Sequence, residues 1–364
     1  MRAAALALLV LLGPCTSEAP QRPVTVETAT AAPPRDAAPD LTSAADAASP
    51  ALPLSLLDAA PLDAAADGPL AFTTAEELLL VSGLPSTSFT RFAIGPKPGR
   101  FNDGNAQIAH HAVSRRACLE ALRGATLQTP AQRETCGAPN MVPIFRGGDA
   151  GAAKTCIDIF EFPNKACELP MVWGSPSQAQ TICEAEGKRL CTQAEWNLAC
   201  AGDPDGGKDR VYAYGDTLDY EICNTNTPHE MGEPTAWGTR LWRCNVQSAD
   251  SAWKTCSTDT EPAGAFPRCR SRFGVFDQHG NVAEMMSRKE GDVTYTQLKG
   301  SAFFYVDVAK SHDAPPSANQ KMSGGMLHDT YPDNCSFDPR WHVEELAKAG
   351  HSNYHLGFRC CKGL

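Results

Sequence analysis

The sequence predicts an irregular, loop-rich α+β domain carried behind a disordered tether, and three observations predict it. Cysteine, tryptophan and Gly/Pro/Asn/Asp punctuation become dense after about residue 141. Only two segments there carry strong helix signals, and the apolar runs between loops are short enough for brief strands only. Residues 16–74, by contrast, are dominated by Ala, Pro, Asp and Thr, without cysteine or tryptophan. Such a stretch buries too little apolar surface to offset the entropy of ordering it.

Composition narrows the function classes. A length of 364 residues accommodates two average domains, or one large domain with a tail. The formal charge of −10 argues against nucleic acid as a partner, because phosphate neutralisation needs a basic surface. Fifteen cysteines point to an oxidising compartment. None forms a C-x-x-C pair, which argues against a zinc ribbon or a thioredoxin-type motif. With Cys15 set aside, the remaining fourteen suit a disulfide framework of up to seven bridges, whose connectivity spacing alone leaves open.

From the N-terminus, Arg2 and the apolar run 3–12 read as an export signal too short to span a bilayer. Leu12-Gly13-Pro14-Cys15 resembles the lipobox of bacterial lipoproteins, with Cys15 as the acylated residue. Pro14 departs from the small residue expected there. The chain therefore divides into an export segment at 1–15, a linker at 16–74, a small extension at 75–140 and a main domain at 141–364. The expected location is the bacterial cell envelope or the medium, with membrane contact only through a lipid on Cys15.

Within the extension, 75–81 and 114–123 read as helices, and a Cys118–Cys136 bridge would close the region on itself. His110-His111 reads as a solvated turn. In the main domain, Ser175 or Ser177 caps a helix over 179–186 that Gly187 ends. Thr192-Gln193-Ala194-Glu195 is a capping box opening a second helix that runs to about Ala201, buried through Trp196 and Leu198. Downstream, Asp277, Gly280, Asn281, Val282 and Glu284 crowd into one short turn after an aromatic segment. Two carboxylates with main-chain carbonyls between them are donors a hard cation such as calcium accepts, although Asp/Gly/Asn clusters are more often plain turns.

Several motifs are colinear over about 220 residues. Gly187-Lys188-Arg189-Leu190-Cys191-Thr192-Gln193-Ala194-Glu195-Trp196, Tyr212-Ala213-Tyr214-Gly215, Cys223-Asn224, Phe273 to Glu284, and Leu356-Gly357-Phe358-Arg359-Cys360 follow one another, with Glu161-Phe162-Pro163-Asn164 upstream. This series resembles the sulfatase-modifying factor family, whose type member is the formylglycine-generating enzyme. The resemblance implies a C-type-lectin-like α+β fold with little regular structure. It implies a calcium held by Asp277, the carbonyls of Gly280 and Val282, and Glu284. A weaker second calcium falls on Asn224 and Thr225, with its downstream Asp unplaced between Asp250 and Asp259. It further implies the disulfides Cys183–Cys360 and Cys200–Cys335. Cys191 and Cys361 are additional, and one pairing open to them is with each other.

The family's copper site is not matched. Its two cysteines follow a strand that here reads Lys299-Gly300-Ser301-Ala302-Phe303-Phe304, and their positions fall on Tyr305 and Lys310. No cysteine lies between Cys269 and Cys335, and soft Cu(I) requires thiolate or thioether ligands. His351 and His355 form an H-x3-H pair resembling part of the iron motif of related sulfoxide synthases, but Gly357 replaces its Glu. Surface histidines are the better reading of these and of His312, His328 and His342. The resulting expectation is a calcium-stabilised, non-catalytic binding or scaffold module for a protein, peptide or glycan. Trp237, Trp242, Trp253, Tyr305 and Trp341 are candidates to line its groove. The alternative is a divergent oxygen-dependent oxidase of the formylglycine-generating type that modifies a protein cysteine.

Overall fold

Helix caps set the framework. The computed structural model describes residues 93–219, 221–225, 248–303, 321–323, 326–328, 334–337 and 342–364. All belong to the compact unit Ala51–Leu364. The expected tether, the helix at 75–81, Cys15, Tyr305, Lys310, His312, Trp237, Trp242 and Trp341 lie outside the described residues.

Five helices are described: α1 (Arg115–Ala121), α2 (Pro130–Cys136), α3 (Pro176–Ala185), α4 (Gln193–Ala201) and α5 (Ala249–Thr255). Ser175 is the cap of α3, its hydroxyl accepting from Gln178 N while the Gln178 side chain accepts from Ser175 N. Pro176 at the first position has no N–H to leave unsatisfied, which suits that place. Thr192 and Glu195 form the expected box on α4, and Thr129 with Gln132 forms another on α2. A cap of this kind contributes about 1 kcal/mol. The α3 face Pro176, Ala179, Ile182, Cys183 is buried, as helical periodicity requires.

Nine short strands accompany these helices. β1 (Met141–Ile144), β2 (Thr155–Asp158), β9 (Cys360–Gly363) and β3 (Arg189–Leu190) make an antiparallel sheet in the order β1-β2-β9-β3. A second sheet has the order β5-β4-β8: β4 (Ala283–Glu290) and β5 (Val293–Lys299) form a hairpin, and β8 (Leu356–Gly357) runs parallel to β4. β6 (Lys321–Ser323) and β7 (Met326–His328) form a separate pair. β8 and β9 are two residues apart yet sit in different sheets, so Phe358 and Arg359 cross from one sheet to the other. Both residues are fully buried there.

The disulfides join sequence-distant pieces. Cys183–Cys360 and Cys200–Cys335 are present as the resemblance implied, and Cys191 pairs with Cys361. Cys223–Cys269 is a further bridge. The expected Cys118–Cys136 bridge is wrong: Cys118 bonds Cys167 and Cys136 bonds Cys156. The 93–140 segment thus does not close on itself. It is stapled to the main domain twice, where α2 packs beside β1 and α1 brings Arg115 onto buried Glu168 at 3.2 Å. His111 is half-buried against the Thr260 carbonyl, not in a solvated turn. Burial lowers its pKa to about 4.

Candidate metal-binding loop and the buried acidic cluster

The loop between Phe276 and β4 is shaped by left-handed backbone at Asp277 (φ 58), Gly280 (φ 76) and Asn281 (φ 58). Asp, Gly and Asn are the residues that tolerate this region best. Gly280 has a second reason: a Cβ there would lie 2.2 Å from the Asn224 carbonyl oxygen. The sequence-expected Asn224 and Thr225 are therefore packed directly against the Asp277–Glu284 loop. Both are buried.

Asn281 is the hub of this contact. Its backbone N donates to Asn224 O at 2.8 Å. Its Oδ1 accepts from Glu261 N (2.8 Å) and Asn224 Nδ2 (3.1 Å). Its Nδ2 donates to Glu161 Oε2 (2.6 Å) and the Glu261 carbonyl (3.1 Å). The amide thus uses two donors and two acceptor sites, tying four chain segments together. Asn224 Nδ2 also reaches the Asp259 carbonyl, which places Asp259 beside Asn224. Sequence reading left the family's downstream Asp unassigned because the loop from Asp250 to Asp259 is rearranged.

Three carboxylates are buried around the loop: Glu161 (0% exposed), Asp277 (3%) and Glu284 (0%). They share one guanidinium. Arg359 donates from Nε to Glu284 Oε2 (2.6 Å) and from Nη2 to Glu284 Oε1 (2.7 Å). It also donates from Nη2 to Phe276 O (2.9 Å), and from Nη1 to the carbonyls of Asp158 (3.1 Å) and Ile159 (3.2 Å). All five donors are used. Trp196 Nε1, from α4, adds a third contact to Glu284 at 3.1 Å. Asp277 Oδ2 accepts from Gly264 N at 2.6 Å, and Glu161 Oε1 accepts from Val282 N at 3.0 Å.

Fully ionised, the cluster would hold three negative charges against one positive. Burial pushes Asp277 up to about 7, and Glu161 rises well above the ordinary range through burial and the charges of Asp277 and Glu284. Burial also raises Glu284 against the pull of Arg359. An excess of two charges is what a divalent ion, or two protons, would balance. Among the described residues no turn or loop hydrogen bond uses the carbonyls of Gly280 or Val282. This donor set fits a hard cation in kind and charge, with the qualification that Glu284 already holds Arg359 and would be shared with it. Glu161 and Arg359 were legible only as motif letters; their partnership with the loop was not.

The strand leading to the copper positions is also internally engaged. Lys299 is buried opposite Glu284 in the β4–β5 register. Its Nζ donates to the carbonyls of Cys335 (3.1 Å) and Phe337 (2.6 Å) and lies 5.2 Å from the Trp196 ring. Beside it His279 is buried, with Nε2 accepting from Ala213 N at 3.0 Å and lying 3.5 Å from Cys200 Sγ of the Cys200–Cys335 bridge. Burial and then the Lys299 charge lower the His279 pKa to about 3. All thirteen described cysteines are disulfide-bonded.

The C-terminal histidines are not surface groups throughout. His355 is buried and packs edge-on against Tyr354, 4.7 Å between centroids. His351 stacks instead on His342, so the H-x3-H pair does not act as a pair. Trp253 packs edge-on to the core residue Trp173 at 5.1 Å and is partly buried, as core aromatics are.

Fold, capping boxes and disulfides all conform to one class of domain, built of loops and bridges around little regular structure. The sulfatase-modifying factor enzyme 1-like domain matches residues 152–364, and the chain belongs to that family. The chain is 27% identical over 198 residues to the bovine (Bos taurus) protein named inactive C-alpha-formylglycine-generating enzyme 2, covering 54% of this chain and 51% of that one. It is 32% identical over 117 residues to the mouse (Mus musculus) protein of the same name, covering 32% and 31%. The chain thus spans about half or less of the curated relatives' own length. The solved structure of CarF aligns at a TM-score of 0.33 and 12% identity, covering 62% of this chain and 96% of that one. Among the described residues no helix is long and apolar enough to cross a membrane, and the six described disulfides suit an extracellular protein.

Proposed function

We propose that this protein is an exported, non-catalytic member of its family: a calcium-stabilised binding or scaffold module for a protein segment, peptide or glycan. One observation carries the reading. Every described cysteine is committed to a disulfide, and the sequence has none between Cys269 and Cys335, where the copper pair belongs. Tyr305 and Lys310 stand at those positions, and neither offers Cu(I) a soft donor at neutral pH. The two curated relatives are themselves named inactive, which supports the same conclusion.

Asp277 and Glu284 with the carbonyls of Gly280 and Val282 would hold the structural calcium. The ion would offset the buried negative charge beside Arg359. Asn224, Thr225 and the adjacent Asp259 would hold a weaker second ion. The proposed N-terminal lipid on Cys15 would tether the domain through 16–74 to the cell envelope.

The test is direct. The purified protein, supplied with Cu(I) and oxygen, is incubated with a reduced cysteine-containing sulfatase peptide and analysed by mass spectrometry. The expected result is unchanged peptide; turnover to the aldehyde overturns the reading and restores the oxidase alternative. Mass analysis of the mature N-terminus reads the Cys15 proposal in the same preparation, and an unmodified Cys15 removes it.

A further inference from the structure

The Cys200–Cys335 bridge has an imidazole against both of its sulfurs. His279 Nε2 is 3.5 Å from Cys200 Sγ and 3.8 Å from Cys335 Sγ. Among the described residues, this is the one group in which two sulfurs and an imidazole nitrogen all lie within 4.8 Å of one another. The bridge ties α4 to the segment 334–337.

The surroundings fix the ring and supply charge. Ala213 N donates to His279 Nε2 at 3.0 Å, which assigns the ring proton to Nδ1 and leaves Nε2 the basic nitrogen. Tyr212 and Tyr214 stand edge-on to the ring at 5.5 Å each, and Trp196 does so at 6.5 Å. Lys299 brings a buried ammonium to the same place, its Nζ donating to Cys335 O at 3.1 Å. A neighbouring cation favours thiolate over thiol.

Ligand atoms around one ion, at bonds of about 2.0–2.3 Å, stand about 3.3–4 Å apart. His279 Nε2 already has that separation from both sulfurs, so only the sulfurs need to part once their bond is broken. While bridged they are poor ligands, because thiolate is the ligating form. Softness and charge then select the ion. Two thiolates and an imidazole suit Cu(I). The centre carries one net negative charge, which the Lys299 ammonium offsets.

We propose that Cys200, Cys335 and His279 form a redox-gated Cu(I) site, closed while the bridge is intact and opened when a dithiol reduces it. In that exchange two hydrogens pass from the dithiol to the two sulfurs, and the dithiol closes to its own disulfide. Binding of Cu(I) then displaces two protons from the thiols, and Nε2 exchanges the Ala213 N–H for the ion. Access is short: Cys335 lies between half-buried Asn334 and exposed Ser336, and its N donates to the carbonyl of exposed Val211. The site is distinct from the family's copper positions at Tyr305 and Lys310, and it does not rest on the binding role proposed above.

The test uses the full chain without an affinity tag, treated with dithiothreitol under argon and then freed of it. Cu(I) is supplied from the chromophoric chelator bicinchoninate. Other bridges can open too, so isotope-coded alkylation with peptide mass spectrometry identifies which cysteines became thiols and which of them Cu(I) shields. The expected result is one equivalent retained after reduction and none without it, with Cys200 and Cys335 shielded. Copper X-ray absorption on the wild type should show two sulfurs and one nitrogen, and needs no variant. The Cys200→Ser/Cys335→Ser variant should lose the retained ion after the same treatment. His279→Gln should weaken retention by at least about 10-fold, while His110→Ala leaves it unchanged. Equal uptake by the untreated chain overturns the proposal. So does a Cys200–Cys335 bridge that dithiothreitol never opens, free alkylation of both cysteines in Cu(I), or full retention by the double serine variant.

Discussion

Replacing Arg359 with methionine removes the guanidinium that pairs with Glu284 and offsets the buried Glu161 and Asp277, and the structure sets the size of the effect. Arg359 and Glu284 are both fully buried, paired through two charge-assisted bonds of 2.6 and 2.7 Å. Three further donations reach the carbonyls of Asp158, Ile159 and Phe276, so the guanidinium also stitches the first sheet to the 277–284 loop. Breaking such a pair from one side leaves an uncompensated charge and costs about 3–5 kcal/mol. At roughly 2–4 °C per kcal/mol for a domain of this size, the melting temperature should fall by about 6–20 °C. Arg359→Lys keeps the charge but cannot reproduce five planar donors, and should still lose at least about 2 kcal/mol. Adding Glu284→Gln to Arg359→Met removes the orphaned charge and should recover part of the loss. The assay is thermal and guanidinium unfolding with disulfides intact, at one scan rate for all variants. A methionine variant within 1 kcal/mol of wild type would refute the argument that this pair balances the cluster.

Three other perturbations follow from the same geometry. The bridges Cys183–Cys360 and Cys191–Cys361 close nearly the same loop, with separations of 177 and 170 residues. Loop-closure entropy then predicts a loss of about 3 kcal/mol when either is removed and about 8 kcal/mol when both are, a super-additive pattern in unfolding free energy; additive losses would count against it. His279 has a folded pKa near 3 against an ordinary 6.5, so its contribution is present above pH 6.5 and is lost as pH falls toward 3. Between pH 6.5 and 4 the wild type should lose about 3 kcal/mol that His279→Gln does not, measured as the difference of their stability–pH curves; parallel curves would contradict the neutral, buried assignment. For the proposed calcium site, a chelator should lower the wild-type melting temperature, and Asp277→Asn should shrink that response; equal responses in both proteins would remove Asp277 from the proposed ligand set.

How much of this was legible beforehand varied with the range of the interaction. The cap at Thr192 was readable because Glu195, three residues on, closes it, whereas Ser175 and Ser177 stood as alternatives until the structure showed Gln178 closing the box on Ser175. The turn chemistry at Asp277, Gly280 and Asn281 was readable for the same local reason. The pairings Cys183–Cys360 and Cys200–Cys335 came only through family resemblance, and proximity in sequence misled for Cys118 and Cys136. Those two cysteines look outward from their own segment, and their partners are set by where α1 and α2 dock. Likewise His351 was read with its sequence neighbour His355, whereas the fold stacks it on His342.

The chain alone determined the start of the helix at Thr192, the tight turn at Asp277, Gly280 and Asn281, and the density of cysteine that the disulfides use, all consequences of residue identity and short spacing. Only the tertiary structure decided that Arg359 must answer three carboxylates, that Asn281 joins four segments, and that His279 lies against the Cys200–Cys335 bridge. Burial and charge balance depend on which distant groups the packing brings within a few ångströms, and no local pattern encodes that distance.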